Sequence, residues 1–280
     1  MKNFDKKTCF LVFTMVTVIT FYIIICRNNI PKVIHKVYID FTMHIPQILS
    51  NEIQVAHNTW KTLNPGYRIK YYDGHDCEQY LLKHFGERHL DAFKKVKAFA
   101  YKCDLFRYCL LYNEGGIYTD WKTVCINPIK SLLKRDTIWA SGWDNSGSDV
   151  QPYMWNGFIC SQPKSPILRT AIDMCLYNIE NNVYGTTCLE PTGPKLLGKA
   201  FLKHYPQYGG RHSELMNENS IIIGRGVRLP SLSQAKAPKH LYFNPDFHVL
   251  IKCETCGQTQ YWKNGNSYNT MWNNKEIYGA

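Results

Sequence analysis

The sequence predicts an α/β fold: a doubly wound, mainly parallel sheet with flanking helices, preceded by one transmembrane helix. From residue 31 onward, short apolar runs alternate with stretches of helical periodicity, and several of the runs end at an acidic residue. This alternation is typical of a parallel sheet whose strands are joined by helices. Ahead of it lies an uncharged, apolar run over residues 9–26. We therefore expect one membrane-spanning segment followed by one α/β domain.

The apolar run over residues 9–26 is long enough to span a bilayer core. A cleaved signal peptide has a shorter apolar region, of roughly 7 to 15 residues, and a small-residue cleavage site. This run ends Ile-Ile-Ile-Cys-Arg, so we expect a retained signal anchor. Three lysines precede it and one arginine follows it, which places residues 1–8 in the cytoplasm. The prediction is a single-pass type II membrane protein whose domain, residues 27–280, lies in the secretory lumen of the Golgi.

Each element of the domain is predicted from its own local pattern. Apolar, β-rich runs predict strands over residues 33–39, 68–72, 117–119, 138–140 and 157–161. Apolar residues at intervals of three and four predict helices over residues 46–62, 94–113, 165–181 and 195–204. The helix over residues 94–113 has the clearest periodicity, and Gly115 and Gly116 stop it.

The balance of charges restricts the partners. The 280 residues include 33 Lys and Arg against 22 Asp and Glu, a net charge of +11, and 45% of them are apolar. This is the composition of a folded globular protein and excludes a disordered or collagen-like chain. The basic charge suits a polyanionic ligand or an anionic membrane surface. Lys and Arg form no long run, and a luminal domain does not meet nucleic acid, so we expect no nucleic-acid partner.

The cysteines agree with a secretory location. Two of the 11 Cys lie in the apolar run. In an oxidising lumen some of the remaining odd number are expected to form disulfides, with at least one thiol left over. Cys253 and Cys256 have the spacing of half a zinc site, but no second Cys or His pair completes the four ligands. A local disulfide or plain thiols are the preferred interpretation there.

Acidic residues follow the second and third predicted strands. Asp73 comes directly after the second strand, and Asp120 comes directly after the third. In open α/β sheets, ligands bind at the carboxyl ends of the strands, so both residues are candidates for a binding site. On the helix before the third strand, Asp104 and Arg107 are three residues apart and share a face. They form either a surface ion pair or a carboxylate and a guanidinium that face one ligand.

The continuation of the chain favours a ligand site over a surface ion pair. The helix carries D-x-x-R-Y, stops at Gly-Gly and is followed by a short Ile-Tyr strand that ends in Asp120. Further pieces of the pattern are Ile-Pro-Lys-Val-Ile-His at residues 30–35, Trp60 with Asn-Pro-Gly-Tyr at residues 64–67, and Thr-Gly-Pro at residues 192–194. Together these pieces resemble glycosyltransferase family 32, the DxD sugar-transferase group that includes yeast initiating mannosyltransferases and capsule-type enzymes.

The resemblance implies a GT-A-like domain and a hexosyltransferase that uses a nucleotide sugar, either a GDP- or a UDP-hexose. It also implies a glycan or glycolipid acceptor. Configuration at the sugar would be retained by front-face attack, with the leaving phosphate taking the acceptor proton. By this resemblance, Asp104 accepts from donor sugar hydroxyls, Arg107 neutralises phosphate and Tyr118 lines the donor pocket.

The chain departs from the family pattern at the DxD motif itself. Where the pattern has two carboxylates that hold a divalent ion on the diphosphate, this chain has Asp120-Trp121-Lys122. If both lie on a strand end, Asp120 and Lys122 point the same way. Lys122 then either pairs with Asp120 or takes over the charge of the metal at the leaving diphosphate. A single carboxylate holds Mn²⁺ or Mg²⁺ weakly, so we predict a weakened or absent metal requirement, with Asp120 as the candidate ligand.

Other residues are candidates for binding the substrate. His35 and Asp73 border the donor pocket by the resemblance, although a core histidine and a helix N-cap are equally good interpretations. Asn156 matches the asparagine of the strand after the DxD and is a candidate for a hydrogen bond to a sugar. Near the C-terminus, Trp272 is a candidate for stacking on a base or a sugar ring. Further candidates in that region are Ser267, His240 and His248.

Two classes of function are compatible with these features. The first is a membrane-anchored transferase in which Asp104, Arg107, Asp120 and Lys122 are the catalytic residues. The second is a non-catalytic protein on the same fold that binds a carbohydrate or a nucleotide sugar. In that second class, Lys122 neutralises Asp120 and the motif is disabled.

Overall fold

The computed structural model describes residues 30–144, 153–209, 216–218, 220–228, 240–243, 249–253 and 265–279. The predicted anchor over residues 9–26 lies outside this part of the chain, and so do His248, Cys256 and the side chains of His240 and Cys253. Among the described residues, no helix combines the length and the apolar character that crossing a bilayer requires.

One sheet runs through the described part of the chain, and its ten strands are numbered in chain order. They are β1 (Val33–Val37), β2 (Arg68–Tyr72), β3 (Gly116–Thr119), β4 (Thr123–Cys125), β5 (Trp139–Asp144), β6 (Phe158–Ser161), β7 (Met216–Glu218), β8 (Ile221–Arg228), β9 (His240–Phe243) and β10 (Val249–Cys253). Their order across the sheet is β2-β1-β3-β6-β5-β8-β9-β10-β4, with β7 paired to β8.

The fold is α/β as predicted, but the expectation of a mainly parallel sheet is wrong. β1 runs parallel to β2 and β3, and β5 runs parallel to β8. The other described pairings, which involve β3, β4, β5, β6, β7, β8, β9 and β10, are antiparallel. Each parallel pair is joined through at least one helix, because parallel neighbours need a long crossover. The mixed second half of the sheet lacks the alternation that made the first half predictable.

Seven α-helices lie in the described residues. They are α1 (Asn51–Leu63), α2 (Gly74–Phe85), α3 (Glu87–Lys95), α4 (Phe99–Glu114), α5 (Pro166–Glu180), α6 (Pro194–His204) and α7 (Tyr268–Asn273). The predictions for α1, α4, α5 and α6 are confirmed with shifted ends, whereas α2 and α3 were not predicted. α4 begins at Phe99 because the backbone of Val96 and Ala98 is extended and Val96 bridges to Tyr278.

The two faces of the sheet carry separate apolar clusters. Along β3, Ile117 belongs to the cluster that includes Trp60 of α1, and Tyr118 belongs to the larger cluster formed with α4, α5 and α6. This is the two-residue alternation of a strand. α4 is buried on most of its surface, and a helix of that kind lies inside a core rather than at its edge. Polar side chains on α4 therefore lie inside the protein.

Candidate active site

Three segments bring the predicted polar residues together. α4 supplies Asp104 and Arg107, the end of β3 supplies Tyr118 and Asp120, and the loop before β6 supplies Asn156. Tyr118 and Asp120 are two residues apart, and both contact the α4 side of the sheet through Arg107. The resulting cluster lies at the carboxyl end of β3, where an α/β sheet binds its ligands.

The Arg107 guanidinium forms the centre of this cluster. Its side chain is only 6% exposed, and it forms ion pairs with Asp104 and Asp120, both at 3.1 Å. The nitrogen that pairs with Asp120 also donates to the main-chain oxygen of Asn156 at 2.7 Å. The guanidinium carbon lies 4.3 Å from the centroid of the Tyr118 ring. A planar guanidinium that forms several hydrogen bonds and ion pairs in this way fixes the position of Asp120 relative to α4.

Asp104 is enclosed by hydrogen-bond donors. The Asn156 amide donates to Oδ1 and the Thr192 hydroxyl donates to Oδ2, each at 2.8 Å. Burial raises the pKa of Asp104, and the charge of Arg107, together with these hydrogen bonds, opposes the rise. The Asn156 amide also lies 3.0 Å from the Tyr108 hydroxyl. Asp104, Asn156 and the Thr192-Gly193-Pro194 segment at the start of α6 therefore form one buried network.

Asp120 is the member of the cluster that reaches solvent. Its side chain is 38% exposed, and its Oδ1 accepts from Arg107 at 3.1 Å and from the Tyr118 hydroxyl at 3.0 Å. Its Oδ2 lies beside Gly157, where an added Cβ would stand 2.6 Å from that oxygen and 2.7 Å from the indole nitrogen of Trp155. The absence of a side chain at Gly157 therefore lets the Asp120 carboxylate and the Trp155 indole pack closely against the main chain.

The Asp-Trp-Lys motif lies in a turn and not on a strand. β3 ends at Thr119, and Thr123 donates to the main-chain oxygen of Asp120 through its amide at 3.1 Å and through its hydroxyl at 2.7 Å. Alternation along a strand therefore does not decide where Lys122 points. Burial lowers the pKa of Lys122, and the carboxylate of Glu52 on α1 opposes this shift.

The same turn is held from the opposite face of the sheet by residues that the sequence analysis missed. The Nζ of Lys36 donates to the main-chain oxygen of Asp120 at 3.1 Å. His57 Nε2 lies 3.1 Å from the main-chain oxygen of Trp121, and the Trp60 indole donates to that of Thr123 at 2.7 Å. Burial lowers the pKa of Lys36 to about 7, with Asp120 acting in the opposite direction. A lysine inside the apolar strand Val33–Val37 was the available signal in the sequence.

The remaining candidates make their contacts elsewhere. His35 is fully buried, with Nδ1 3.2 Å from the Tyr72 hydroxyl and Nε2 3.0 Å from the main-chain oxygen of Gly115. Asp73 is the N-cap of α2 and takes part in a capping box. The indole of Trp272 donates to the main-chain oxygen of Tyr184 at 2.7 Å. His35 and Asp73 thus have the geometry of the alternative interpretations, a core histidine and a helix N-cap.

The burial of His35 predicts an acid-sensitive stability. Desolvation lowers the pKa of His35 from 6.5 to about 4. The charges of Lys70 and Arg68 also lower this pKa, whereas the charge of Glu114 raises it. The unfolded chain therefore binds this proton first, and the stabilising contribution of neutral His35 is lost as the pH falls from 6.5 to 4. The loss is about 3 kcal/mol, at about 1.4 kcal/mol per pKa unit.

Urea denaturation of the wild type and of His35→Gln at a series of pH values measures this contribution. We expect the stability advantage of the wild type over the variant to shrink steadily between pH 6.5 and pH 4. A difference between the two proteins that does not change with pH would contradict the assignment.

The described cysteines and acidic residues form neither disulfides nor a metal cluster. The cysteines whose side chains are described are free thiols, namely Cys77, Cys103, Cys109, Cys125, Cys160, Cys175 and Cys188. The expected disulfides are therefore absent from this set. In the same part of the chain, no group of three or more His, Cys, Asp or Glu side chains is placed to hold a metal ion.

Comparison with known proteins tests the predicted resemblance. Residues 50–139 match the family model described as a glycosyltransferase sugar-binding region containing a DXD motif. This stretch includes Asp104, Arg107, Asp120 and Lys122, and together with two similar glycosyltransferases the match confirms the resemblance to glycosyltransferase family 32.

Two curated proteins are similar to this chain. An uncharacterized glycosyltransferase of Acanthamoeba polyphaga mimivirus is 28% identical over 138 residues, 49% of this chain and 52% of the relative. Inositol phosphoceramide mannosyltransferase 1 of Schizosaccharomyces pombe is 25% identical over 181 residues, 63% of this chain and 53% of the relative. The chain therefore spans about half the length of these relatives. Among solved structures, the PaToxG glycosyltransferase aligns with a TM-score of 0.49 and 19% identity, over 66% of this chain and 73% of that one.

Proposed function

We propose that this protein is a retaining hexosyltransferase with a GT-A-like domain that moves a sugar from a GDP- or UDP-hexose to a glycan or glycolipid. In this proposal residues 9–26 anchor it in a secretory membrane as a type II protein of the Golgi. The similarity to inositol phosphoceramide mannosyltransferase 1 supports a mannosyl donor and a glycolipid acceptor.

The observation that carries the proposal is the presentation of Asp120. Its carboxylate stands at the carboxyl end of β3, with one oxygen held by Arg107 and Tyr118 and the other directly beside Gly157. This carboxylate is a rigid hydrogen-bond acceptor at a strand end, inside a stretch that matches a sugar-binding region. Such a group is suited to bind the hydroxyls of the sugar that is transferred or to lie beside its diphosphate. Rigidity matters because a group that is already in place does not have to reorganise as charge develops on the leaving group.

Asp104 and Arg107 support this arrangement from within. Their side chains are 8% and 6% exposed, and their contacts are with each other and with the enclosed residues around them, namely Cys103, Tyr118, Asp120, Asn156 and Thr192. We assign them the task of positioning Asp120, in addition to the donor contacts that the resemblance implies. Asn156 then acts by orienting Asp104 through its amide.

The residues around Asp120 do not suit a divalent cation held by the protein. Mn²⁺ and Mg²⁺ take several oxygen ligands, whereas Oδ1 of Asp120 already accepts two hydrogen bonds. Lys122 occupies the position of the second carboxylate of the motif and supplies no oxygen ligand. The proposal therefore includes a weakened or absent metal requirement.

Turnover of nucleotide sugars by the full-length chain, purified in mild detergent, tests the function. A panel of GDP- and UDP-hexoses is incubated with Mn²⁺ or with a chelator, and free nucleoside diphosphate is measured, with Asp120→Asn as the inactive control. We expect one donor to be hydrolysed or transferred at a rate that the chelator lowers less than about 10-fold. Donor binding without turnover under both conditions would support the non-catalytic alternative.

The variant Lys122→Asp tests whether Lys122 sets the metal requirement. Restoring a second carboxylate supplies a further oxygen ligand, so turnover by this variant is expected to depend on Mn²⁺ and to stop with the chelator. A metal response identical to that of the wild type would show that Lys122 does not set the metal requirement.

A further inference from the structure

A lysine is buried directly beneath the turn that carries Asp120. Lys36 has no exposed surface, and its Nζ donates to the main-chain oxygen of Asp120 at 3.1 Å and to the Thr123 hydroxyl at 3.4 Å. The Nζ also lies 5.2 Å from the centroid of the Trp60 ring. Burial of an ammonium is costly, and an apolar side chain of similar size in its place is often neutral or stabilising. Stability alone therefore gives a weak reason for a lysine at this position.

What the ammonium contacts is the main chain of the motif. The main-chain oxygen of Asp120 accepts from Lys36 and from both the amide and the hydroxyl of Thr123. The next carbonyl, that of Trp121, contacts His57. The main-chain amide of Asp120 in turn donates to the main-chain oxygen of Gly157 at 3.0 Å. The backbone that carries the carboxylate is therefore fixed from beneath the sheet, while Arg107 fixes the carboxylate itself from above.

We propose that Lys36 is a positioning residue for the Asp120-Trp121-Lys122 turn, an inference that rests on the proposed transferase function. Its ammonium holds the main-chain oxygen of Asp120, so that the free oxygen of the Asp120 carboxylate stays in one place when the donor binds. Lys36 itself does not touch the donor, because it is enclosed between β1, the turn and Trp60. Its effect is therefore expected in the chemical step and not in donor affinity.

The test distinguishes a positioning role of Lys36 from a purely stabilising one. In Lys36→Met, the charge and the hydrogen bonds are lost while most of the length of the unbranched side chain is kept. We expect kcat to fall about 10- to 100-fold, as for a small displacement of a reacting group, with KM for the donor changed less than about 3-fold. The melting temperature is expected to be unchanged or higher, because the cost of burying the ammonium disappears.

Lys102 provides the matched control. It is another buried lysine, 9% exposed, and its Nζ donates to main-chain oxygens of Phe93 and Lys94 at the end of α3. Lys102→Met removes a buried ammonium of the same kind at a place that does not contact the turn. Its kcat and KM are expected to equal those of the wild type.

A readout independent of activity keeps the inference testable. Hydrogen exchange of a peptide covering residues 118–125 is expected to be faster in Lys36→Met than in the wild type and unchanged in Lys102→Met. If the Met variant does not fold, Lys36→Gln carries the same expectations. Equal kcat and equal exchange in the variant and the wild type would overturn the inference. A wild type without turnover on any donor would contradict the proposed function instead, and faster exchange in the variant would still support the positioning role.

Discussion

Replacing Arg107 with Met is expected to lower the free energy of unfolding by about 3–5 kcal/mol, the usual cost of removing one partner of a buried ion pair. The substitution leaves the Asp104 carboxylate, 8% exposed, without its countercharge. It also removes the donor to the main-chain oxygen of Asn156 and one of the two donors to Oδ1 of Asp120. Sugar transfer is therefore expected to be lost along with the stability.

A double variant distinguishes the loss of the ion pair from the loss of side-chain packing. In Asp104→Asn with Arg107→Met, the buried negative charge is gone together with the guanidinium. We expect urea denaturation to show that the double variant is more stable than Arg107→Met alone. Its loss of stability is expected to be smaller than the sum of the two single losses by a coupling energy of about 1–3 kcal/mol. Transfer stays lost in the double variant, because Asp120 is still unsupported. A double variant whose stability is the sum of two independent losses would contradict the role of charge.

An exposed ion pair provides the control for this cycle. Arg169 and Asp173 on α5 are 56% and 50% exposed and lie 3.0 Å apart. Exposed pairs of this kind contribute about 0.3–0.5 kcal/mol on a helix. Arg169→Met is therefore expected to leave both the stability and the transfer rate close to those of the wild type.

The sequence was sufficient for the parts of the site that are local. The spacing of Asp104 and Arg107 placed both on one helix face, and the structure pairs them at 3.1 Å. The strand that delivers Asp120 was likewise predicted, since it follows the glycines that end α4. These features depend on residues within about one element of each other, where periodicity and turn chemistry are informative.

The parts that the sequence did not reveal depend on contacts between distant segments. Lys36 meets the Asp120 carbonyl across 84 residues of chain, and Thr192 meets Asp104 across 88. No local pattern encodes such a pairing. The antiparallel strands of the second half were missed for the same reason, because strand order and direction depend on partners that lie far apart in the chain.

The helix α4 was predicted, but the burial of its polar residues was not. Periodic apolar residues identified the helix, and one apolar stripe implied that its polar residues face outward. The structure covers most of its surface, so Asp104 and Arg107 lie inside and act on Asp120. In the proposed function the group that faces the ligand is therefore Asp120, which the buried D-x-x-R pair supports.

Gly157→Ala is expected to reduce sugar transfer by about 100-fold or more, although it adds a single methyl group. An alanine Cβ at this position would stand 2.6 Å from Oδ2 of Asp120 and 2.7 Å from the indole nitrogen of Trp155. Neither neighbour is free to move aside. Oδ1 of Asp120 is held by Arg107 and Tyr118, and the Trp155 side chain is buried, with the residue only 8% exposed.

The methyl group therefore displaces the Asp120 carboxylate from the position in which we assign it to the donor. Steady-state kinetics with the donor identified in the panel measures the effect, and urea denaturation measures the accompanying loss of stability, about 1–3 kcal/mol for overpacking. Gly66→Ala is the matched control, since nothing lies within 4 Å of its Cβ, and it is expected to be fully active. If Gly157→Ala also retains full activity, the position of the Asp120 carboxylate is not what the donor requires, because the added methyl group displaces that carboxylate in any folded variant.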